Sequence, residues 1–140
     1  MIIWHNPKCS TSRKVLGLIR AAGIEPQVRN YLTDPPSEGE IRDALSALGL
    51  DARGLIRRKG TPYDDMGLGD PALADDALIA AMAQVPALIE RPVVMSDRGA
   101  VLARPVEAVL DLMPAEARAR AEAALATDAR AKDSADGTKA

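Results

Sequence analysis

Both the single cysteine and the single histidine of this 140-residue chain lie within residues 4–13, WHNPKCSTSR. The apolar residues 2–4 before this stretch predict a short buried strand, and the pattern after it predicts a helix that stops at Gly23. Cys9 is therefore expected just outside a helix N-terminus, where unpaired backbone N–H groups and the helix dipole favour an anion. Such surroundings lower the pKa of a thiol, to values from about 3.5 to about 7.5. The stretch predicts a reactive thiolate that is both a nucleophile and a redox centre.

Cys9, Ser12 and His5 each have more than one interpretation. A lone cysteine is often a small buried hydrophobe, but the polar neighbours of Cys9 do not form an apolar face. Any of the three residues 10–12 is able to cap the helix, and Ser12 is also a candidate for a hydrogen bond to the thiolate. His5 either tunes the thiol, as a cation or hydrogen-bond donor, or simply ends the first strand with a satisfied ring.

Three arginines are candidates for an anion site near the thiol. Arg91 comes just before a predicted strand and Arg104 just after the next, so a hairpin places them nearly opposite each other at its open end. Arg57, in a basic segment, would complete a three-sided cage. A guanidinium binds two oxygens of a tetrahedral oxyanion at once. The alternative is that each arginine only pairs with a surface carboxylate.

The remaining pattern predicts an α/β fold in one domain, residues 1–115. A strand, a helix and a second strand at 27–31 form a βαβ unit with parallel strands. Helices are predicted within an insertion at about 37–85, opened by a capping box at Ser37 and Glu40. Strands at 93–95 and 101–103 form a hairpin through residues 97–99. Residues 116–140 are predicted to be an Ala-rich helical extension with a disordered tail.

Composition excludes several classes of protein. The formal charge of −2 does not favour a nucleic-acid or anionic-membrane partner. One cysteine cannot form an internal disulfide. The N-terminus is apolar for only three residues, so we expect no signal peptide and a cytoplasmic location. No apolar stretch is long enough to span a membrane.

With these residues in place, the chain resembles the glutaredoxin-coupled arsenate reductases of the thioredoxin superfamily. The resemblance covers residues 1 to about 115, and its pieces occur in family order: 5–13 (HNPKCSTSR), 55–59 (LIRRK), 62–63 (PY), 90–94 (ERPVV) and 104–105 (RP). It implies a thioredoxin-like, glutaredoxin-type fold with a mixed four-stranded sheet.

The resemblance also implies roles for individual residues. The catalytic cysteine of the family falls on Cys9, and its three oxyanion-binding arginines fall on Arg57, Arg91 and Arg104. The histidine near its cysteine falls on His5. Its cis peptide falls on the bond between Arg91 and Pro92.

The implied activity is reduction of arsenate to arsenite through an adduct between the cysteine thiol and arsenate. Glutathione is then a co-substrate and glutaredoxin a partner, with no bound cofactor and no metal. A single cysteine agrees with this, because the further sulfurs have to come from outside the chain.

Three alternatives share the same scaffold. One is an arsenate reductase-like protein acting on another substrate, and another is a monothiol oxidoreductase acting on protein mixed disulfides. The third is a non-catalytic regulator that binds RNA polymerase and senses oxidation through a Cys-x-x-Cys pair. Ser12 stands at the second position of that pair, so an internal disulfide switch is impossible here. Retention of all three arginines favours an oxyanion substrate over a peptide disulfide.

Overall fold

The computed structural model describes residues 1–138, with side chains described for residues 1–128. In chain order the elements are β1 (Ile2–His5), α1 (Ser10–Ala21), β2 (Gln27–Asn30), α2 (Glu38–Leu48), α3 (Ala52–Leu55), α4 (Asp75–Gln84), β3 (Val93–Ser96), β4 (Gly99–Leu102) and α5 (Ala115–Thr138), with 3₁₀ helices at Pro86–Leu88 and Val106–Leu112. The sheet has the order β2-β1-β3-β4. β1 and β2 are parallel, whereas β3 is antiparallel to both β1 and β4. This confirms the predicted thioredoxin-like fold with a mixed sheet and a helical insertion.

Alternate residues of the central strands build two apolar cores, one on each face of the sheet. Successive strand residues point to opposite faces, so Ile3 and Val94 are buried in one core, and Trp4 and Val93 in the other. Helices α2, α3 and α4 cover the Trp4 face. Helices α1 and α5 cover the Ile3 face together with the second 3₁₀ helix. The thiol-bearing end of α1 is thus supported by packing along the rest of that helix.

The hairpin of β3 and β4 sets the position of two candidate arginines. Val93 pairs with Leu102, and at the other end Ser96 pairs with Gly99. Gly99, with φ of 125°, is the first residue of β4, so the connecting loop is two residues rather than the predicted three. The Arg91–Pro92 peptide bond is cis, and so is Arg104–Pro105.

Helix α5 packs on the end of α1 distant from Cys9. Ala121 is completely buried in the core that contains α1. The Arg120 guanidinium donates a 2.9 Å hydrogen bond to the carbonyl of Ala22, and lies 4.0 Å from Glu116 in the predicted pair. Disorder in the predicted tail stays a prediction, since side chains from 129 onward and residues 139–140 lie outside the described part. Within residues 1–138 no helix combines the length and apolar character needed to cross a membrane.

Candidate active site

The turn between β1 and α1 carries Cys9 and is held by Asn6. The backbone carbonyl of Asn6 accepts a 3.0 Å hydrogen bond from the N–H of Cys9. Its side-chain oxygen accepts another, also 3.0 Å, from the N–H of Lys8. Cys9 is the N-cap residue of α1 and is partly exposed. The turn therefore presents the thiol to solvent at the start of the helix, as the sequence predicts.

The predicted capping of α1 by residues 10–12 is wrong. Within the described residues no side chain caps this helix. The hydroxyl of Ser12 instead lies 2.7 Å from Nδ1 of His5 and accepts a 3.0 Å hydrogen bond from the N–H of Asn6. Because Ser12 is completely buried in these contacts, its hydroxyl ties the end of β1 to the first turn of α1. The N-terminal amides of α1 are left available to the thiol.

The surroundings of Cys9 lower the pKa of its thiol below the usual value. Burial is the largest single influence and raises this pKa, but several lowering influences together outweigh it, and the largest of these is the hydrogen bond from the backbone N–H of Ser12. The Arg91 guanidinium lowers the pKa further through hydrogen bonding and charge, and the N–H of Thr11 contributes as well. Ser12 thus acts on the thiol through its backbone rather than through its hydroxyl. A larger fraction of Cys9 is therefore thiolate at neutral pH.

His5 ends β1 as a buried residue, 7% exposed. Burial lowers the pKa of its imidazole, and the charges of Arg20 and Arg13 lower it further. The ring is therefore neutral at neutral pH, and it contacts the Ser12 hydroxyl. This geometry makes His5 a support for the turn rather than a cation beside the thiol.

The structure brings the three candidate arginines into one connected group. Arg91 faces Cys9, and Arg104 donates a 3.2 Å hydrogen bond from Nη1 to the carbonyl of Arg91. Arg57 joins through Glu90, whose Oε1 accepts a 2.7 Å hydrogen bond from Arg57 Nη1 and lies 4.0 Å from Arg104 Nη1. Arg57 is thus paired with a carboxylate, as the alternative interpretation expects, but that carboxylate is shared with Arg104 and lies next to Arg91 in the chain.

One buried donor in this group has no partner. Among the side chains that the structure describes, Nε of Arg91 is a buried nitrogen without a hydrogen-bond acceptor. Buried donors are nearly always paired, because an unpaired one costs about 1–3 kcal/mol. Because the Arg91 guanidinium also contacts Cys9, it is a candidate to bind the oxygens of an anion at the thiol.

Sequence reasoning assigned no role to Tyr31 or Glu90. The completely buried Tyr31 accepts a 3.3 Å hydrogen bond from the Asn6 side chain. Burial raises the pKa of its phenol, on which the charges of Arg91, Cys9 and Glu90 also act. A signal existed for Tyr31, because it directly follows β2 where Asn6 follows the parallel β1, and parallel strands end at the same edge. Glu90 adjoins Arg91, but its contact with Arg57 spans 33 residues and leaves no local pattern.

Comparisons with known proteins agree with this geometry. The ArsC family model matches residues 4–112. This chain belongs to the ArsC family. An arsenate reductase of Rhizobium meliloti is 51% identical over 112 residues, covering 80% of each chain. One from Escherichia coli is 46% identical over 112 residues, covering 80% of this chain and 79% of its own. The solved structure of the arsenate reductase from Vibrio cholerae superposes with a TM-score of 0.78 at 47% identity, covering 80% of this chain and 96% of that one.

The ArsC family match spans all the candidate residues, from His5 to Arg104. It ends before α5 begins at Ala115. Within the side chains that the structure describes, no group of three or more histidine, cysteine or carboxylate residues is arranged to hold a metal ion.

Proposed function

We propose that this ArsC-family protein reduces arsenate to arsenite, with Cys9 as the nucleophile. The observation that carries the proposal is the pairing of a thiol of lowered pKa with the unpartnered Nε of Arg91. Arsenate is a tetrahedral oxyanion, and a planar guanidinium binds two of its oxygens while remaining charged. The arsenate reductases among its relatives support the same substrate.

The first step forms a bond between the Cys9 sulfur and arsenic. The thiolate attacks arsenate, one oxygen leaves as water after protonation, and the product is an adduct in which arsenic is still pentavalent. Arg91 is placed to neutralise the charge of the oxygens during this attack. We assign Arg104 and Arg57 to the remaining oxygens, since Arg104 donates to the carbonyl of Arg91 and Arg57 is linked to Arg91 through Glu90.

The electrons come from thiols outside the chain. A glutathione thiolate binds the arsenic of the adduct and displaces a second water. A glutaredoxin thiolate then attacks the glutathione sulfur, the sulfur–arsenic bond breaks, and its electron pair reduces arsenic to the trivalent state. A mixed disulfide of glutathione and glutaredoxin is formed, and water releases arsenite from Cys9. Cys9 is the only thiol of the chain, so it has no internal resolving partner.

His5 and Ser12 support this chemistry by position. The bond between the Ser12 hydroxyl and His5 Nδ1 fixes the first turn of α1 on β1. With that turn held, the N–H groups of Ser12 and Thr11 point at the sulfur. We expect the reaction to take place in the cytoplasm, where thiols are kept reduced.

The test is arsenite production from arsenate with glutathione, glutaredoxin and an NADPH-coupled glutathione reductase. Wild type is compared with Cys9→Ser, and with Ser10→Ala as a matched change at the exposed neighbouring residue. Turnover is expected in wild type and Ser10→Ala and should be lost in Cys9→Ser, because a hydroxyl cannot form the adduct or pass electrons. Omitting glutathione or glutaredoxin should also stop turnover. Arsenite production by Cys9→Ser would overturn the proposal, as would none by wild type.

A further inference from the structure

Glu90 lies at the centre of the arginine group and has no role in the mechanism above. Its backbone is fixed by a 2.8 Å hydrogen bond from its N–H to the carbonyl of Leu55, and Ile56 and Ile89 form an isolated β-bridge beside it. These contacts join the segment that carries Arg57 to the segment that leads into Arg91. The Glu90 side chain is 22% exposed, so it is accessible from the solvent side of the site.

A single carboxylate oxygen of Glu90 faces three donors. Oε1 accepts hydrogen bonds from Arg57 Nη1 at 2.7 Å and from the backbone N–H of Arg91 at 3.2 Å. The same oxygen lies 4.0 Å from Nη1 of Arg104. Glu90 therefore places a negatively charged oxygen between the guanidinium groups of Arg57 and Arg104.

The three arginines differ in how far their charge is already satisfied. Arg57 is bound by the Glu90 carboxylate, and its Nε donates to the carbonyl of Lys59 at 3.0 Å. Arg91 keeps an unpartnered Nε. Among the described side chains no carboxylate forms an ion pair with the Arg91 guanidinium, whereas at Arg57 and Arg104 an incoming oxyanion has to compete with the Glu90 carboxylate.

We propose that Glu90 is a resident anion of the arginine group, which an oxyanion displaces from Arg57 and Arg104 on binding, and that Glu90 thereby determines oxyanion affinity. This inference rests on the proposed oxyanion site at Cys9. Its consequence is that the wild-type site binds simple tetrahedral anions more weakly than its three guanidinium groups would allow. Glu90 is a positioning and specificity-determining residue, because it acts through the arginines.

The test uses inorganic phosphate as the probe, by its protection of Cys9 from alkylation with iodoacetamide. In Glu90→Gln the amide keeps the shape of the side chain but loses its charge. The phosphate concentration giving half protection should fall at least about threefold, because a competing like charge has been removed. Glu90→Ala removes the same charge without adding an amide, and the same decrease is expected. If only one of the two variants folds, that variant alone tests the inference. Equal or weaker protection in a folded variant would overturn the inference.

A matched control and a second readout separate this role from a structural one. Asp76→Asn also removes one carboxylate from an arginine pair, with Arg42 at 2.9 Å, but it is exposed on the start of α4. In Asp76→Asn, phosphate should protect Cys9 from alkylation as well as it does in wild type. The second readout is rescue by Glu90→Asp, which keeps the negative charge. Its protection by phosphate should stay closer to wild type than that of Glu90→Gln, because the competing charge is retained. Equal half-protection concentrations in folded Glu90→Asp and Glu90→Gln would show a merely structural role and would overturn the inference.

Arsenate turnover of the wild type distinguishes this inference from the proposed function. If wild type reduces arsenate while Glu90→Gln binds phosphate no more tightly, only the role of Glu90 fails. If wild type does not reduce arsenate but the variant binds phosphate more tightly, the substrate assignment fails and the role of Glu90 stands.

Discussion

Helices α1 and α2 each follow a strand of the parallel pair, yet their N-termini are completed in opposite ways. At the start of α2 the Ser37 hydroxyl accepts a hydrogen bond from the N–H of Glu40, and the Glu40 carboxylate accepts one from the N–H of Ser37. Arg29 pairs with the same carboxylate. At the start of α1 the capping position holds Cys9, and the hydroxyl of Ser12 points back to β1.

The start of α2 stabilises its own helix, whereas the start of α1 supports a reactive thiol. The α2 end satisfies its own free amides through a capping box, so it contributes stability and offers nothing to a ligand. The α1 end leaves its amides to a thiol, and the guanidinium of Arg91 contacts the same thiol. Polar groups left unsatisfied at one end of one helix are what an anion is able to bind.

The strongest test of this contrast replaces one arginine at each helix end. Arg91→Ala should raise the activation free energy of arsenate reduction by about 2–4 kcal/mol, because a donor to developing charge is lost. This corresponds to a decrease in kcat/KM of roughly 30- to 1000-fold. The pKa of Cys9 should also rise, since the Arg91 guanidinium helps to lower it. Arg29→Ala is the matched control, and it should lose stability while keeping turnover. Near-normal kinetics in Arg91→Ala would contradict the distinction between the two helix ends.

Ser12→Ala examines how the open end of α1 is supported. The change removes the hydroxyl that contacts His5 Nδ1 at 2.7 Å and leaves the buried N–H of Asn6 unpaired. The free energy of unfolding should therefore fall by about 1–3 kcal/mol, as measured by urea denaturation. Ser10→Ala at the exposed neighbouring residue is the control and should be close to neutral. A Ser12→Ala protein as stable as wild type would show that the hydroxyl does not hold the turn.

Ser37→Ala makes the corresponding change at the closed end of α2. Loss of the cap should cost about 1 kcal/mol, less than Ser12→Ala, because the amide of Glu40 is exposed to water and can be solvated. Turnover of arsenate should be unchanged. The comparison would need revision if this variant lost activity, or if it were destabilised more than Ser12→Ala.

The smallest effect concerns the pH dependence of the α2 end. The Arg29 guanidinium and the backbone of Ser37 lower the pKa of Glu40 from 4.5 to about 2. A carboxyl with a lower pKa in the folded state contributes stability above the unfolded value, and this is lost as pH falls from about 4.5 to about 2. Because Glu40 is 46% exposed, the contribution is small. The difference in urea midpoint between wild type and Glu40→Gln should shrink over this range, and a constant difference would contradict the assignment.

Local patterns were sufficient for most of the fold. The capping box at Ser37 and Glu40 and the βαβ unit both depend on residues close in sequence, and the structure contains them as predicted. Local reasoning failed for the capping of α1, because Ser12 has a choice between its own helix and His5. A tertiary contact with the end of β1 decided that choice.

The sequence by itself determined the position of the thiol at a helix start and the pairing of Arg91 with Arg104 across a hairpin. Both follow from regular periodicity and strand register. Only the tertiary structure decided that Glu90 binds Arg57 and that Tyr31 accepts a hydrogen bond from Asn6. The same is true of the Arg91 Nε, which has no acceptor among the described side chains. These contacts join segments that are distant in the chain, where burial and charge in three dimensions choose the partner.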